Sequence, residues 1–274
     1  MTALAIRGRR RAPLPWGWLL LAALVAFIGL GFLVGFLPAD QWEPFLRPTT
    51  WRTFGFGLLS TLFIGGVSLV ASLAISLPLA LGRSSLPNPW RWLVATWIEG
   101  VRATPVLVIL AVVFFGLLRL DVDFETRQWY AIIGLTIYTS AVLAEILRAG
   151  IVSIPRGEVE ASRSLGLSYW QSMRHVVLPQ AYSRMTPAIV SQLITLIKDT
   201  SLAFIIAVPE VVGAGRSFFN FYGNPVETYV VLALLFFAIN YPLSLVSRRL
   251  EARQPADQRV RVGGEEDLVT TEVS

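Results

Sequence analysis

Six long apolar runs constrain this chain more than any other feature, because a bilayer core accommodates about 20 consecutive apolar residues in helical form. They extend from Trp18 to Leu37, Phe54 to Leu81, Trp92 to Leu118, Trp129 to Leu147, Pro187 to Val208 and Thr228 to Val246. Only 15% of the 274 residues are charged, against 54% hydrophobic, so the expected class is an all-α, polytopic membrane protein and not a soluble domain. The third run is the least regular. Glu99 and Arg102 interrupt it near its start and leave about 16 apolar positions beyond them, so it is expected to span only with those charges at the interface.

The arginines orient these runs, since short cytoplasmic loops carry the positive excess. An inside N-terminus places 17 arginines in the cytoplasm and 5 (Arg47, Arg52, Arg119, Arg127 and Arg216) on the opposite side. Both termini are therefore expected to be cytoplasmic. The basic segment 1–17 followed by an apolar run has the outline of a signal peptide. The run of 20 residues is longer than an h-region and no small-x-small site follows it, so it is read as a retained helix, 18–37. The tail 248–274, with its Gly263-Gly264 and acidic Glu265 to Asp267, is expected to be disordered.

Several chemistries are disfavoured at once. No cysteine is present, which removes disulfides, thiolate metal sites and a cysteine nucleophile, and the single histidine, His175, leaves little for imidazole chemistry. No metal site and no catalytic residue are expected. A pI near 10 does not indicate nucleic-acid binding, because the basic residues are scattered between apolar blocks and do not gather on one face. A phosphate-binding loop needs Gly-Lys followed by Ser or Thr. The one lysine, Lys198, follows Ile197, so the chain has no such loop and binds no ATP cofactor itself.

The connection Arg148 to Arg184 is far longer than the other cytoplasmic link, Gly82 to Arg91, and long connections in compact folds are usually functional. Glu158 to Leu165 has helical character, with acidic residues where the helix dipole favours them. Gly166 is expected to stop that helix, Ser168 to cap a second one over Tyr169 to Val177, and Leu178-Pro179 to begin the next. Val159, Ser162 and Leu165 recur by three, and Ala161 and Leu165 by four, giving a small, mildly apolar face that permits close approach of a partner. A surface helix lying on the bilayer is the alternative.

The run Glu160-Ala161-Ser162, three residues, Gly166, nine residues, Val176, one residue, Leu178-Pro179 resembles the cytoplasmic signature of ABC importer permeases, with Ser162 in place of Ala and Val176 in place of Ile. Arg102-Ala103-Thr104-Pro105, Ala144 to Ile151 and Leu196-Ile197-Lys198-Asp199-Thr200-Ser201-Leu202 resemble further blocks of the polar amino-acid subfamily, most like its glutamate and aspartate permeases. The resemblance implies a five-helix core over 54–247, with an added helix at 18–37 and a coupling segment at 155–179. It implies that Glu160, Ala161, Ser162, Leu165, Gly166, Leu178 and Pro179 couple to ABC ATPase subunits. It further implies a second permease subunit, the same or different, and an extracytoplasmic substrate-binding protein, in a surround of membrane lipid. Secondary transport predicts inverted repeats, which are not seen, and a channel predicts a polar filter ring.

Charges within membrane runs face a partner or a water-filled path. Glu99 and Arg102, and likewise Glu145 and Arg148, are spaced to meet on a helix surface. Lys198 and Asp199 are expected near mid-helix, with Lys198 set against a substrate carboxylate or against a carboxylate of another helix. Arg102, Thr104, Thr200 and Ser201 complete the candidate substrate path. Trp51, Trp90, Trp92, Trp129 and Tyr130 are expected to form an interfacial aromatic belt. Gly55, Gly57, Gly65 and Gly66 are expected to allow close helix packing.

Overall fold

A computed structural model describes residues 16–35 and 37–253. Of the tail 248–274, residues 248–253 are helical, against the expected disorder, whereas 254–274 and the arginines before Trp16 lie outside the described residues. Ten α-helices are described: α1 Trp16–Leu33, α2 Pro48–Ser85, α3 Trp90–Ala103, α4 Val106–Arg119, α5 Gln128–Val152, α6 Arg156–Ser164, α7 Tyr169–Ser172, α8 Leu178–Asp199, α9 Val211–Tyr222 and α10 Pro225–Arg253. Among the described residues, four helical stretches have the length and hydropathy to cross a membrane: Pro48–Ser85, Gln128–Val152, Tyr169–Ile206 and Pro225–Ala252. Helices α3 and α4 pass the same test only when taken together, as a bent pair.

The third apolar run is not one helix. It breaks between α3 and α4, whose axes lie 106° apart. Pro105 disfavours helical geometry at the residue before it, and Thr104 is extended at φ −90°, ψ 131°. The Thr104 hydroxyl donates to the Gly100 carbonyl at 2.8 Å, satisfying one of the acceptors freed at the end of α3.

The longest packed contact joins α2 to α5. Thr61, Ser68, Ser72, Ser76 and Ala80 are buried along α2 at near four-residue spacing, so one face of the helix is built of small side chains and the partner backbone comes close. Ser72 Oγ reaches the Thr136 carbonyl at 3.4 Å. A side chain at Gly134 would sit 2.9 Å from Leu110 of α4, and one at Gly150 would run into Met185 of α8, so these two glycines set how closely α5 meets its neighbours. Of the four α2 glycines singled out for packing, Gly57 lies against Val211 and Gly65 against Ile197, whereas Gly55 and Gly66 face open space.

Three apolar clusters follow one another along the bundle. Ala80, Ile98, Ala144, Leu147, Met173 and Ala181 join α2, α3, α5 and the base of α8. Ile64, Leu110, Tyr130, Leu135 and Leu196 form the middle, and Phe45, Phe54, Val211, Phe218 and Leu232 form the far end. Tyr130 is only 1% exposed. It therefore belongs to the core and not to the expected aromatic belt. Its hydroxyl accepts from Phe124 N and lies 3.0 Å from the Val122 carbonyl. Helix α1 begins two residues before its predicted run and meets the chain at its C-terminal end, where Leu37 folds back on Gly31 and Phe32 lies 5.7 Å from Trp42.

Candidate functional site

The loop after α5 is a helical elbow closed at both ends by its own polar groups. Helix α6 ends in a glycine at φ +82°, a conformation in which a Cβ is disfavoured. Gly166 N donates to Arg163 O at 2.9 Å and Leu167 N to Ser162 O at 3.2 Å, the paired bonds of a Schellman terminus. Ser168 then caps α7 reciprocally. Gln171 N donates to its hydroxyl at 3.4 Å, and Ser168 N donates to the Gln171 side-chain oxygen at 2.8 Å.

The helix expected from Leu178-Pro179 begins there, as α8 with Pro179 in its first turn, but no break precedes it. Residues Met173–Val177 form a π turn in which Leu178 N donates to Met173 O, and α8 continues directly from it. Pro179 has no N–H for the carbonyl four residues before it. The wider turn keeps α7 and α8 in one stretch, Tyr169–Ile206.

Within this elbow the small face divides. Ser162 is buried and its hydroxyl lies 2.5 Å from that of Ser172, while Val159 packs on the core and Leu178 is half-buried there. Glu160, Ala161, Leu165, Gly166 and Pro179 face outward, with Leu165 83% exposed. The elbow is tied to its surroundings at three places. Tyr169 shares a hydrogen bond of 2.5 Å with Ser85 at the end of α2, Gln180 donates to Glu158 at 3.0 Å, and Arg184 donates to the Ser153 carbonyl at 2.7 Å.

An ion-pair network lies just beyond. Glu145 holds Arg148 at 2.7 Å, as the spacing indicated, but Glu99 pairs with Arg83 of α2 at 2.6 Å and not with Arg102. Arg83 reaches Glu145 as well, at 3.2 Å. The break after α3 turns Arg102 outward, to where it acts on Glu145 through space. The network thus links α2, α3 and α5.

Lys198 and Asp199 do not lie mid-helix, because α8 ends at Asp199 and a 3-10 helix, Thr200–Ile206, takes over. Lys198 is exposed, Asp199 half-buried, and Ser201 Oγ donates to the Lys198 carbonyl at 2.6 Å. Thr200 turns inward, fully buried, and donates to Ile197 O at 2.7 Å. The candidate path residues therefore fall into two groups, with Arg102 and Thr104 at the α3–α4 break and Lys198 to Ser201 at the end of α8.

The chain matches the model of binding-protein-dependent transport system inner membrane components over residues 72–254. It belongs to that family. The permease is 42% identical over 203 residues to the probable glutamine ABC transporter permease protein GlnP of Bacillus subtilis, covering 72% of this chain and 92% of the relative. It is 35% identical over 220 residues to the glutamate transport system permease protein GluD of Corynebacterium glutamicum, with 79% and 81% covered. Among solved structures, an amino acid ABC transporter crystallised with histidines superposes with a TM-score of 0.69 at 28% identity, over 74% of this chain and 94% of that one. The permease is accordingly a multi-pass inner-membrane subunit of an ABC importer.

Helix α9 and its cap fall between the fifth and sixth apolar runs, which end at Val208 and begin at Thr228, where no element is expected. Glu210 is fully buried at the N-terminus of α9, where its carboxylate accepts from Val212 N at 2.8 Å and Gly213 N at 2.6 Å. Thr61 Oγ1 of α2 accepts from Val211 N at 3.2 Å, and a side chain at Gly57 would meet Val211 at 2.9 Å. Burial pushes the Glu210 carboxyl up to about 7 against the pull of its two backbone donors. An acidic residue just after Pro209 and ahead of an apolar run is the helix-start signal that identifies this element.

Proposed function

We propose that the permease forms, with a second permease subunit, the translocation path of an ATP-driven importer for a polar amino acid, glutamate or aspartate being the favoured substrates. One observation carries the reading. The α6–α7 elbow presents Glu160, Ala161, Leu165 and Gly166 outward while Val159 and Ser162 root it in the core, which gives a rigid projection able to enter a groove on a separate ATPase. ATP is hydrolysed on that partner, which faces the cytoplasm together with both chain termini. A binding protein delivers substrate on the other side.

Closure of the ATPases displaces the elbow between two states. The displacement reaches the bundle through Tyr169 and Ser85, and through α8, which is continuous with α7. Substrate choice is placed at Lys198, Asp199 and Ser201, with Arg102 and Thr104 nearer the ATPase end. A single exposed lysine at the end of an apolar helix offers a counter-charge to a carboxylate. The glutamate transport named for GluD supports an acidic substrate.

Uptake into proteoliposomes holding the complete complex is expected to require ATP, and to be lost on Glu160→Lys or Gly166→Val while the permease still assembles. Uptake that persists without the ATPase, as a secondary transporter or channel would show, overturns the reading.

A further inference from the structure

We propose that α3 is an in-plane membrane anchor whose outer flank, Trp90, Leu93 and Trp97, seats in the lipid interface. Helix α4 packs antiparallel along the spanning helix α5, with Phe114 5.1 Å from Tyr130 and Leu110 against Gly134 one turn on. An axis 106° from α4 therefore lays α3 across the bundle and close to the plane of the membrane. Its 14 residues extend about 21 Å.

At 100° per residue the side chains of α3 fall into three sectors. Val94, Ile98 and Val101 point into the bundle, and Ile98 and Val101 are buried there. Arg91, Glu99 and Arg102 lie to one side, all exposed, with Glu99 held by Arg83. Trp90, Leu93 and Trp97 lie to the other side, and they remain 61%, 59% and 52% exposed. The apolar sector is thus wider than the protein covers, and the charged sector stands roughly opposite the uncovered part. Such an arrangement suits a helix lying at the boundary of lipid and water.

Composition selects lipid as the occupant. Two of the three tryptophans on this short helix, Trp90 and Trp97, lie on that flank, Trp92 falling on the side of Glu99, and tryptophan concentrates at the headgroup level of a bilayer. The exposed Arg91 faces the side where anionic headgroups supply the complementary charge. Seated in this way, α3 holds the α3–α4 break at fixed depth beside the Arg83, Glu99 and Glu145 network.

The chain contains no cysteine, so single-cysteine variants for spin labelling need no other change. Labels at Leu93→Cys and Trp97→Cys are compared with Arg91→Cys, Glu125→Cys in the exposed connection between α4 and α5 and Val112→Cys on α4, in the complex of permease and ATPase subunits in lipid nanodiscs. The ratio of oxygen to nickel-chelate accessibility at 93 and 97 is expected to exceed that at 125 by about threefold or more, and to stay below that at 112. If Leu93→Cys disturbs assembly, Gly100→Cys reports the same flank, since a Cβ there meets nothing within 4 Å. Ratios at 93 and 97 equal to that at 125 place the flank in water, and exclusion of both quenchers places it under another protein. Either result overturns the anchor. No transport is measured, so failure here leaves the import reading untouched.

Discussion

The hydroxyls of Ser162 and Ser172 lie 2.5 Å apart, both buried, and close α6 onto the base of α7. Removing one partner strands the other. Ser162→Ala is expected to destabilise the elbow by about 1 to 3 kcal/mol, whereas Ser162→Ala with Ser172→Ala together costs less than the single change. Hydrogen exchange of residues 156–177 in Ser162→Ala, Ser172→Ala and the double variant checks this, and additive effects would count against it.

Leu165 is almost free of contacts within the chain, at 83% exposure. Leu165→Asp is therefore expected to leave the stability of the permease within about 0.5 kcal/mol. Co-purification of the ATPase should fall at least about tenfold, because a charge replaces the apolar tip of the projection.

Glu145 serves two guanidinium groups and is mostly covered, while Glu99 serves one and its side chain is 62% exposed. Glu145→Gln is expected to cost about 1 to 3 kcal/mol, less than a fully buried pair would, and Glu99→Gln under about 1 kcal/mol. Denaturation midpoints in one detergent rank the two.

Glu210 gives a pH signature. Its carboxyl is raised from 4.5 to about 7 in the folded protein, so the folded state holds the proton more tightly and stability declines as pH rises from 4.5 towards 7, then levels off. Between pH 5 and 8 the loss is about 2 to 3 kcal/mol. Glu210→Gln removes this slope. Unfolding curves for both proteins across that range measure the difference.

Lys198→Ala is expected to lower uptake about tenfold or more while the complex still assembles, because no other lysine is present to replace its charge. Normal uptake kinetics would remove Lys198 from the substrate path.

Local signals in the elbow were legible because each acts over a few residues. Gly166 stops α6, Ser168 caps α7, and the spacing from Glu160 to Pro179 is that of the family signature. Ion-pair partners were harder to read, since spacing along one helix found Glu145 with Arg148 but missed Arg83, which reaches Glu99 from another helix. The same limit hid the inward turn of Ser162, whose partner lies ten residues on. It also hid the buried place of Tyr130 and the cap at Glu210.

By itself the sequence determined a helical membrane protein, its approximate apolar runs, the missing phosphate loop and the spacing from Glu160 to Pro179, because hydropathy, turn chemistry and motif spacing are local properties of the chain. Only the tertiary structure decided that the third run bends through 106°, that Glu210 caps α9 while Thr61 ties it to α2, and which residues of the elbow face outward. Those outcomes depend on which distant surfaces meet, and close approaches such as Gly57 to Val211 and Gly150 to Met185 are made between residues that no period along the chain connects.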